Sequence, residues 1–390
     1  MGGVGGPSES AVGRVGRPAG GRGLVVYRPA IRPTITALNG ALLPEGPLFD
    51  RRKRLIAEIL LVGVTAVWGW TFVVVKDAVA LLPPLPFLAI RFGVATIVMA
   101  LVTWVMSVRR SRRRGSGAAG TVGVSSGGSA AGGGAPTGSG RTGVLRASAS
   151  AGLVMGTFLA AGYIFQTFGL QRTTASNAGF ITGMFVVLVP LLQGLMWRIW
   201  PDRRVVVGVA LAAGGLFLLS GGATALHVLG DGLVLLCALS FAAHILATSR
   251  YVRRHDAVVL TVVQLAVVSV FSGLLALAGW VFGAPLSLGA AWEPPVLVAL
   301  LVTALFASAA AFYIQTFAQK YASPTRTAVI LTMEPVFAGL FGYALAGDRL
   351  SVAGWVGAAA ILCGMLVSEF RAWPRRHRGP HEAGAPRQTT

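Results

Sequence analysis

Long, continuous apolar runs dominate this 390-residue sequence and constrain its fold more than any other feature. Each run is about 20 residues long, the length that a helix rising about 1.5 Å per residue needs to cross a hydrocarbon core of about 30 Å. The runs do not alternate with polar residues, so they do not resemble the strands of a membrane β-barrel. Charged residues make up only 12% of the chain, whereas soluble domains carry about 25%. We therefore predict an all-α polytopic membrane protein.

The apolar runs predict ten transmembrane helices. Prolines at or beside several run ends agree with these boundaries, because the missing N–H of proline costs least at a helix end. The predicted helices lie at 55–76, 84–106, 149–171, 176–197, 205–221, 230–250, 257–282, 295–318, 325–346 and 351–370.

Three polar segments flank or interrupt the apolar runs. Residues 1–50 are rich in Gly, Pro, Arg and Ser without apolar periodicity, and we interpret them as a disordered N-terminal tail. Residues 107–146 predict a disordered cytoplasmic loop, and residues 371–390 a polar cytoplasmic tail. The remaining chain divides into two sets of five predicted helices, at 55–221 and at 230–370.

The distribution of Lys and Arg predicts how the helices are oriented, since cytoplasmic loops carry an excess of both residues. With the N-terminus in the cytoplasm, 29 of the 33 basic residues fall in cytoplasmic loops and tails. Only Lys76, Arg172 and Arg349 fall on the opposite side. We expect a multi-pass protein of the cell (plasma) membrane with both termini in the cytoplasm. The net charge of +20 then reflects topology rather than an acidic partner.

The third and eighth predicted helices share a sequence pattern. Gln166-Thr167-Phe168 aligns with Gln315-Thr316-Phe317 across a separation of 149 residues, and similar residues follow in both places. The loops that come directly after the two motifs lie on opposite sides of the membrane in the predicted topology. The two sets of five helices are therefore expected to be inverted repeats, the arrangement typical of alternating-access carriers.

Several short motifs together resemble a known transporter family. They are Trp68-Gly69-Trp70-Thr71-Phe72, Arg91-Phe92, Pro335-Val336-Phe337-Ala338-Gly339-Leu340 and the following acidic turn Asp348-Arg349-Leu350. In combination they look like the EamA family of the drug/metabolite transporter (DMT) superfamily. The resemblance covers roughly 55–370 and implies ten helices in two inverted EamA repeats, with export of amino acids or other small metabolites as a common activity. The chain departs from the family in carrying Asp348 where Glu is usual, and in its long 107–146 loop.

Two charged residues lie well inside the predicted helices and are candidates for the ligand or proton pathway, because charges within a membrane are costly. Glu334 lies near the middle of the ninth helix, beside Pro335. It could exchange a proton during transport, pair with a cationic substrate, or fix the packing by bonding to Arg91 or to hydroxyl groups. Arg91, in the second helix, could bind a substrate carboxylate through two parallel N–H bonds, pair with Glu334, or extend to the outer headgroups. Glu58 and Lys76 lie nearer the ends of the first helix and are interpreted as interfacial.

The remaining site candidates are polar or aromatic residues within the predicted helices: Trp68, Trp70, Tyr163, Gln166, His244, Tyr313 and Gln315. The two tryptophans lie mid-helix rather than at an interface, and they point about 200° apart, so at most one is expected to face a cavity. The histidine could titrate near neutral pH or serve as a hydrogen-bonded packing residue. The two tyrosine–glutamine pairs are related by the repeat, and they could line a site or join helices by hydrogen bonds.

No motif of an enzyme or an ATP-driven pump is present, since the sequence lacks a Walker loop, a nucleophile elbow and histidines at metal-binding spacing. We therefore predict a secondary active transporter, not an enzyme, that exports or exchanges a small metabolite, amino acid or drug by alternating access, with Glu334 as the best candidate for proton coupling. A non-transport polytopic membrane protein, such as a membrane enzyme or a sensor, is the alternative. We expect the lipid bilayer and a small-molecule substrate as partners, no nucleic acid, no cofactor and no metal; a homodimer stays open.

Overall fold

Helices form the whole of the described architecture. The computed structural model describes residues 49–75, 78–118, 138–173, 175–221, 227–345 and 351–369, and none of these residues lies in a β-strand. The prediction of an all-α protein is confirmed for these ranges. Apart from Phe49 and Asp50, the predicted tails lie outside them, as do Lys76 and the Asp348-Arg349-Leu350 turn.

The described helices are numbered in chain order. They are α1 Phe49–Val75, α2 Ala78–Leu81, α3 Pro84–Ala118, α4 Gly138–Leu170, α5 Ala175–Gly183, α6 Phe185–Trp197, α7 Arg203–Leu219, α8 Val228–Tyr251, α9 Ala257–Val281, α10 Pro294–Val302, α11 Ala311–Ala318, α12 Pro324–Leu331, α13 Glu334–Leu345 and α14 Val352–Glu369. A 3₁₀ turn at Leu288–Trp292 precedes α10, and a π-helical segment at Thr303–Ala310 joins α10 to α11.

Several helices begin where the local sequence favours a helix start. Pro84, Pro294 and Pro324 are the first residues of α3, α10 and α12, the position where proline is pre-organised and loses no hydrogen bond. The Asp256 carboxylate accepts hydrogen bonds from the second and third backbone N–H groups of α9, at 2.8 and 3.2 Å. The Ser323 hydroxyl accepts one from the third residue of α12. Such caps satisfy donors that have no partner within the helix.

Each predicted transmembrane run coincides with one helix or with consecutive helical segments. Within the described ranges, eight of these stretches are long and apolar enough to cross a membrane. The two other matching helices, α7 and α14, contain 17 and 18 residues. The chain is therefore a multi-pass membrane protein by its helices, and ten crossings remain a prediction.

The predicted loop at 107–146 is too long, because both of its ends are helical. Helix α3 continues to Ala118 and α4 begins at Gly138, while residues 119–137 lie outside the described ranges. An apolar run predicts only the membrane-spanning part of a helix, not its full length. Arginine is a good helix former, so the arginine-rich sequence after the run is compatible with a helix that continues into water.

Glycines bring α7 and α14 into backbone contact. A methyl group on Gly215 would lie 2.5 Å from the carbonyl oxygen of Gly357, and one on Gly364 would lie 2.6 Å from that of Gly208. In a membrane, the hydrophobic effect does not drive helices together, so close packing of small residues replaces it. The same principle applies between α1 and α13, where Gly69 lies against the backbone at Phe337.

The contact between α7 and α14 predicts that adjacent glycines differ in their tolerance of a methyl group. Gly215→Ala should lower the thermal unfolding temperature in detergent, because overpacking costs about 1–3 kcal/mol. Gly214→Ala is the matched control, since nothing lies within 4 Å of the added methyl, and alanine favours a helix over glycine by about 1 kcal/mol. Fluorescence-detected size exclusion after heating measures both variants. Equal unfolding temperatures would contradict this description of the contact.

Candidate functional site

Arg91 lies in the interior of the helix bundle. The residue belongs to α3 and is only 9% exposed. The guanidinium donates from Nε to the Ser308 hydroxyl at 2.7 Å and from Nη2 to the Ala307 carbonyl at 3.4 Å. The guanidinium carbon also lies 5.2 Å from the ring centroid of Phe92. Arg91 therefore turns inward, and the alternative in which it extends to the outer headgroups does not describe this structure.

The oxygens that hold Arg91 belong to the π-helical segment Thr303–Ala310. A π-helix forms i→i+5 hydrogen bonds, and such segments occur frequently at functional sites. The Ala307 carbonyl accepts a second hydrogen bond, from Nε1 of Trp68 in α1 at 2.8 Å. One backbone oxygen thus joins α1 and α3 to the π-helical segment.

Glu334 is the first residue of α13 and lies close enough to Arg91 to interact with it electrostatically. The two groups do not form a salt bridge, because none of their N–O distances is 4.0 Å or less. Tyr163 of α4 also interacts with both charges. A buried cation and a half-buried carboxylate therefore lie near each other without forming an ion pair.

The helix that carries Glu334 is broken directly before it. Helix α12 ends at Leu331, and α13 begins after the two intervening residues. Pro335 explains the break, because it has no N–H to donate to the carbonyl of Leu331. A second break occurs at Met184, between α5 and α6. Met184 and Met333 are 149 residues apart, the same separation as the two Gln-Thr-Phe motifs.

Aromatic rings pack beside Arg91. The ring of Phe312 in α11 lies 5.4 Å from Trp68, 5.9 Å from Phe92 and 6.3 Å from His244, measured between ring centroids. Phe92 in turn meets Tyr163 edge-on at 5.1 Å. The structure therefore brings three predicted site residues, Trp68, Tyr163 and His244, to the cluster around Arg91.

His244 forms part of a buried polar chain. The residue is 3% exposed, and its Nε2 lies 2.8 Å from Oε1 of Gln264 in α9. The Gln264 amide nitrogen donates to the Thr316 hydroxyl in α11 at 3.0 Å. These bonds connect α8, α9 and α11. His244 therefore has hydrogen-bond partners inside the bundle.

Four predicted site residues lie away from the charged pair or show no contact with it. Trp70 and Gln166 are half-buried, and no side-chain hydrogen bond or ring contact joins either to another described residue. Tyr313 stacks on Phe317 at 6.3 Å. Gln315 is 2% exposed, and its Oε1 has no hydrogen-bond partner. Of the two tryptophans, only Trp68 contacts the aromatic cluster.

Sequence reasoning missed Ser308, Phe312 and Gln264, which orient Arg91, Trp68 and His244. The only signal that could have identified Ser308 and Gln264 is that each is a polar residue within an apolar run. Polar side chains in such runs face the bundle interior. The π-helical segment has no comparable residue signature. Across the described part of the chain, no three His, Cys, Asp or Glu side chains are grouped so that they could hold a metal ion.

Comparisons with known proteins agree with this architecture. The model of the EamA-like transporter family matches residues 135–221 and 228–370. An uncharacterized transporter from Archaeoglobus fulgidus is 30% identical over 347 residues, which cover 87% of this chain and 94% of the relative. A second uncharacterized transporter from the same organism is 22% identical over 324 residues, covering 80% of this chain and 96% of the relative.

A solved crystal structure supports the fold alone. It aligns with a TM-score of 0.59 and 18% sequence identity, and the alignment covers 79% of this chain and 95% of the other.

The two tryptophans of α1 offer a test of the bond to the π-helical segment. Trp68→Phe should lower the thermal unfolding temperature in detergent, because it removes the closer donor from the Ala307 carbonyl, and a hydrogen bond contributes about 0.5–1.5 kcal/mol. Trp70→Phe makes the same chemical change two residues later without losing such a bond. It should unfold close to the wild-type temperature. If the two variants were destabilised equally, the loss would come from ring size rather than from the indole N–H.

Proposed function

Because this chain belongs to the EamA-like transporter family, we propose that it is a secondary active transporter that exports or exchanges a small metabolite, amino acid or drug by alternating access. The proposed ligand site lies between Arg91 and Glu334, beside Trp68 and Tyr163. We propose that the solute is transported without chemical change, so the protein does not act as an enzyme.

The separation of Arg91 from Glu334 is the observation that carries the proposal. An arginine has five N–H donors. Arg91 donates to Ser308 and Ala307, and Tyr163 is a further side-chain partner. These contacts fix the guanidinium without neutralising its charge. A buried and unneutralised cation is costly, so a carboxylate or another anionic group of a substrate would relieve that cost. The planar guanidinium suits a carboxylate, which it binds through two parallel bonds.

Glu334 supplies the proposed coupling. A carboxylate within a membrane helix that forms no ion pair is expected to be neutralised, either by a proton or by a cationic group of the substrate. Both cannot occupy the same oxygens, so proton binding and substrate binding compete. That competition lets a proton gradient drive substrate movement in the opposite direction. The break before Glu334 also leaves backbone groups available to a ligand.

Two breaks at matching positions support alternating access. Met184 and Met333 interrupt their helices 149 residues apart, and the family model matches two consecutive segments of the chain. Discontinuous helices at corresponding positions of two inverted halves are typical of secondary transporters, whose ligands bind near the bilayer midplane. We therefore propose ten crossing helices in two inverted repeats.

The proposed location is the cell membrane, with both termini in the cytoplasm. The supporting observation is that 29 of 33 basic residues lie on one side of the predicted topology. At that side the Glu58 carboxylate contacts Arg54 of its own helix at 2.7 Å and Arg326 of α12 at 3.5 Å. This pairing fits the interfacial position that the sequence predicts for Glu58.

Glu334→Gln should abolish flux driven by a pH gradient while leaving assembly intact. A screen of cells that overproduce the protein first identifies the solute that accumulates in the medium. Purified protein in liposomes is then loaded with that solute, and its flux is measured with and without an imposed pH gradient. Glu293→Gln is the matched control, because Glu293 is exposed and does not use its side chain as a helix cap. Undiminished gradient-driven flux in Glu334→Gln would refute the coupling role.

Arg91→Lys should raise the substrate concentration for half-maximal flux by about tenfold or more, since a hydrogen bond to a charged group contributes about 1.5–3 kcal/mol. Lysine keeps the positive charge but loses the planar pair of donors. Arg203→Lys, at the exposed start of α7, serves as the control. The concentration dependence of flux in the same liposomes checks the result. An unchanged half-maximal concentration would place the substrate elsewhere.

A further inference from the structure

A groove runs along the outer surface of the bundle between α3 and α9. Its volume is ≈ 290 Å³. The residues that line it are Ala100, Thr103, Trp104, Ser107, Val259, Val262 and Val263. None of these residues contributes to the cluster around Arg91, so the groove is a separate feature of the molecule.

Part of the α3 wall of the groove is exposed to the surroundings of the bundle. Trp104 is 64% exposed, and Leu101, Val102 and Val105 beside it are exposed as well. In a membrane these apolar side chains contact hydrocarbon. The groove is therefore open to lipid chains along its length, and an apolar chain suits its predominantly apolar lining.

One end of the groove lies at the membrane boundary. Ser107 is almost the last residue of the apolar part of α3, which spans Pro84–Val108. Val259 is the third residue of α9. Trp104 is the aromatic residue nearest this end, as is usual for side chains at the level of the lipid headgroups.

Positive charge lies directly beyond this end. Arg254 is exposed and precedes α9 in a turn that is held by its own backbone, since the Arg254 N–H donates to the Tyr251 carbonyl at 3.0 Å. The Asp256 carboxylate fixes the connection to α9 by bonding the Val258 N–H at 2.8 Å.

We propose that this groove is a binding site for an anionic phospholipid. One acyl chain occupies the apolar lining between α3 and α9, and the phosphate lies at the basic end, within the reach of Arg254. Basic pockets between transmembrane helices on the cytoplasmic side attract anionic headgroups in this way. The charge at one end and the apolar lining along the rest match the two parts of such a lipid. The site does not depend on the proposed transport activity.

Native mass spectrometry of the full-length, delipidated protein tests the site with phosphatidylglycerol and phosphatidylcholine that carry identical acyl chains. We expect phosphatidylglycerol to bind more tightly, by about fivefold for each arginine near the headgroup. Arg254→Gln should reduce this preference by about that factor. Arg203→Gln, which removes an exposed arginine at the start of α7, should leave it unchanged. Equal affinities for the two lipids in the wild type would overturn the proposal.

A second pair of variants tests the groove itself. Ala100→Phe fills the groove from its exposed side and should weaken binding of both lipids. Ile97→Phe changes a 61% exposed residue of the same helix outside the lining and should not. If Ala100→Phe binds lipid as the wild type does, the groove is not the site.

Photo-crosslinking of the wild-type protein gives a result that does not depend on how the variants fold. Phosphatidylglycerol with a photoreactive group in its acyl chain should label peptides that contain residues 100–107 and 259–263. Label confined to other helices would overturn the proposal. Labelling that phosphatidylcholine prevents as effectively as phosphatidylglycerol does would mean that the groove accepts any acyl chain without selecting charge, which would also overturn it.

Discussion

A positive charge in the interior of a membrane protein must be surrounded by oxygen atoms, and here the π-helical segment between α10 and α11 provides them. The Ser308 hydroxyl and the Ala307 carbonyl hold the Arg91 guanidinium. The same carbonyl accepts the indole N–H of Trp68. The Ala307 carbonyl and the Ser308 hydroxyl therefore join α1 and α3 to the π-helical segment. The aromatic cluster around Phe312 packs against this framework.

The second charge depends on a different feature of the backbone. Pro335 interrupts its helix and places Glu334 at the start of a new one. The charge of Arg91 is thus held by side-chain and carbonyl contacts, whereas that of Glu334 is placed by a helix break. The two groups do not form a salt bridge, and the solute and proton binding proposed above depends on that separation.

The sequence was sufficient for the helices and for the two charges, since both follow from the cost of placing polar groups in hydrocarbon. The apolar runs located every long helix, and rarity alone singled out Arg91 and Glu334. The sequence was insufficient for contacts between residues that are far apart in the chain. Trp68 and Trp70 are equivalent in the sequence, and only the position of the Ala307 carbonyl distinguishes them.

Other differences have the same origin. The partner of His244 is Gln264, twenty residues away in the next helix, and periodicity does not pair them. The end of the second apolar run predicts where the chain leaves the membrane, not where the helix ends. The continuation of α3 to Ala118 was therefore not predicted. The breaks at Met184 and Met333 were not predicted, although their separation equals that of the two motifs of the predicted repeat.

The π-helical segment also sets the rotational orientation of the residues that follow it in α11. Each residue of an α-helix advances by about 100°, so one residue accommodated in a wider turn rotates the faces of all later residues by a comparable angle. Phe312 and Thr316 lie beyond the segment and point inward in the register that it imposes. Removing a single residue from 303–310 would leave the stretch from α10 to α11 helical and equally apolar. It would nevertheless turn these side chains away from Trp68 and Gln264, so the length of this stretch carries information that its hydropathy does not.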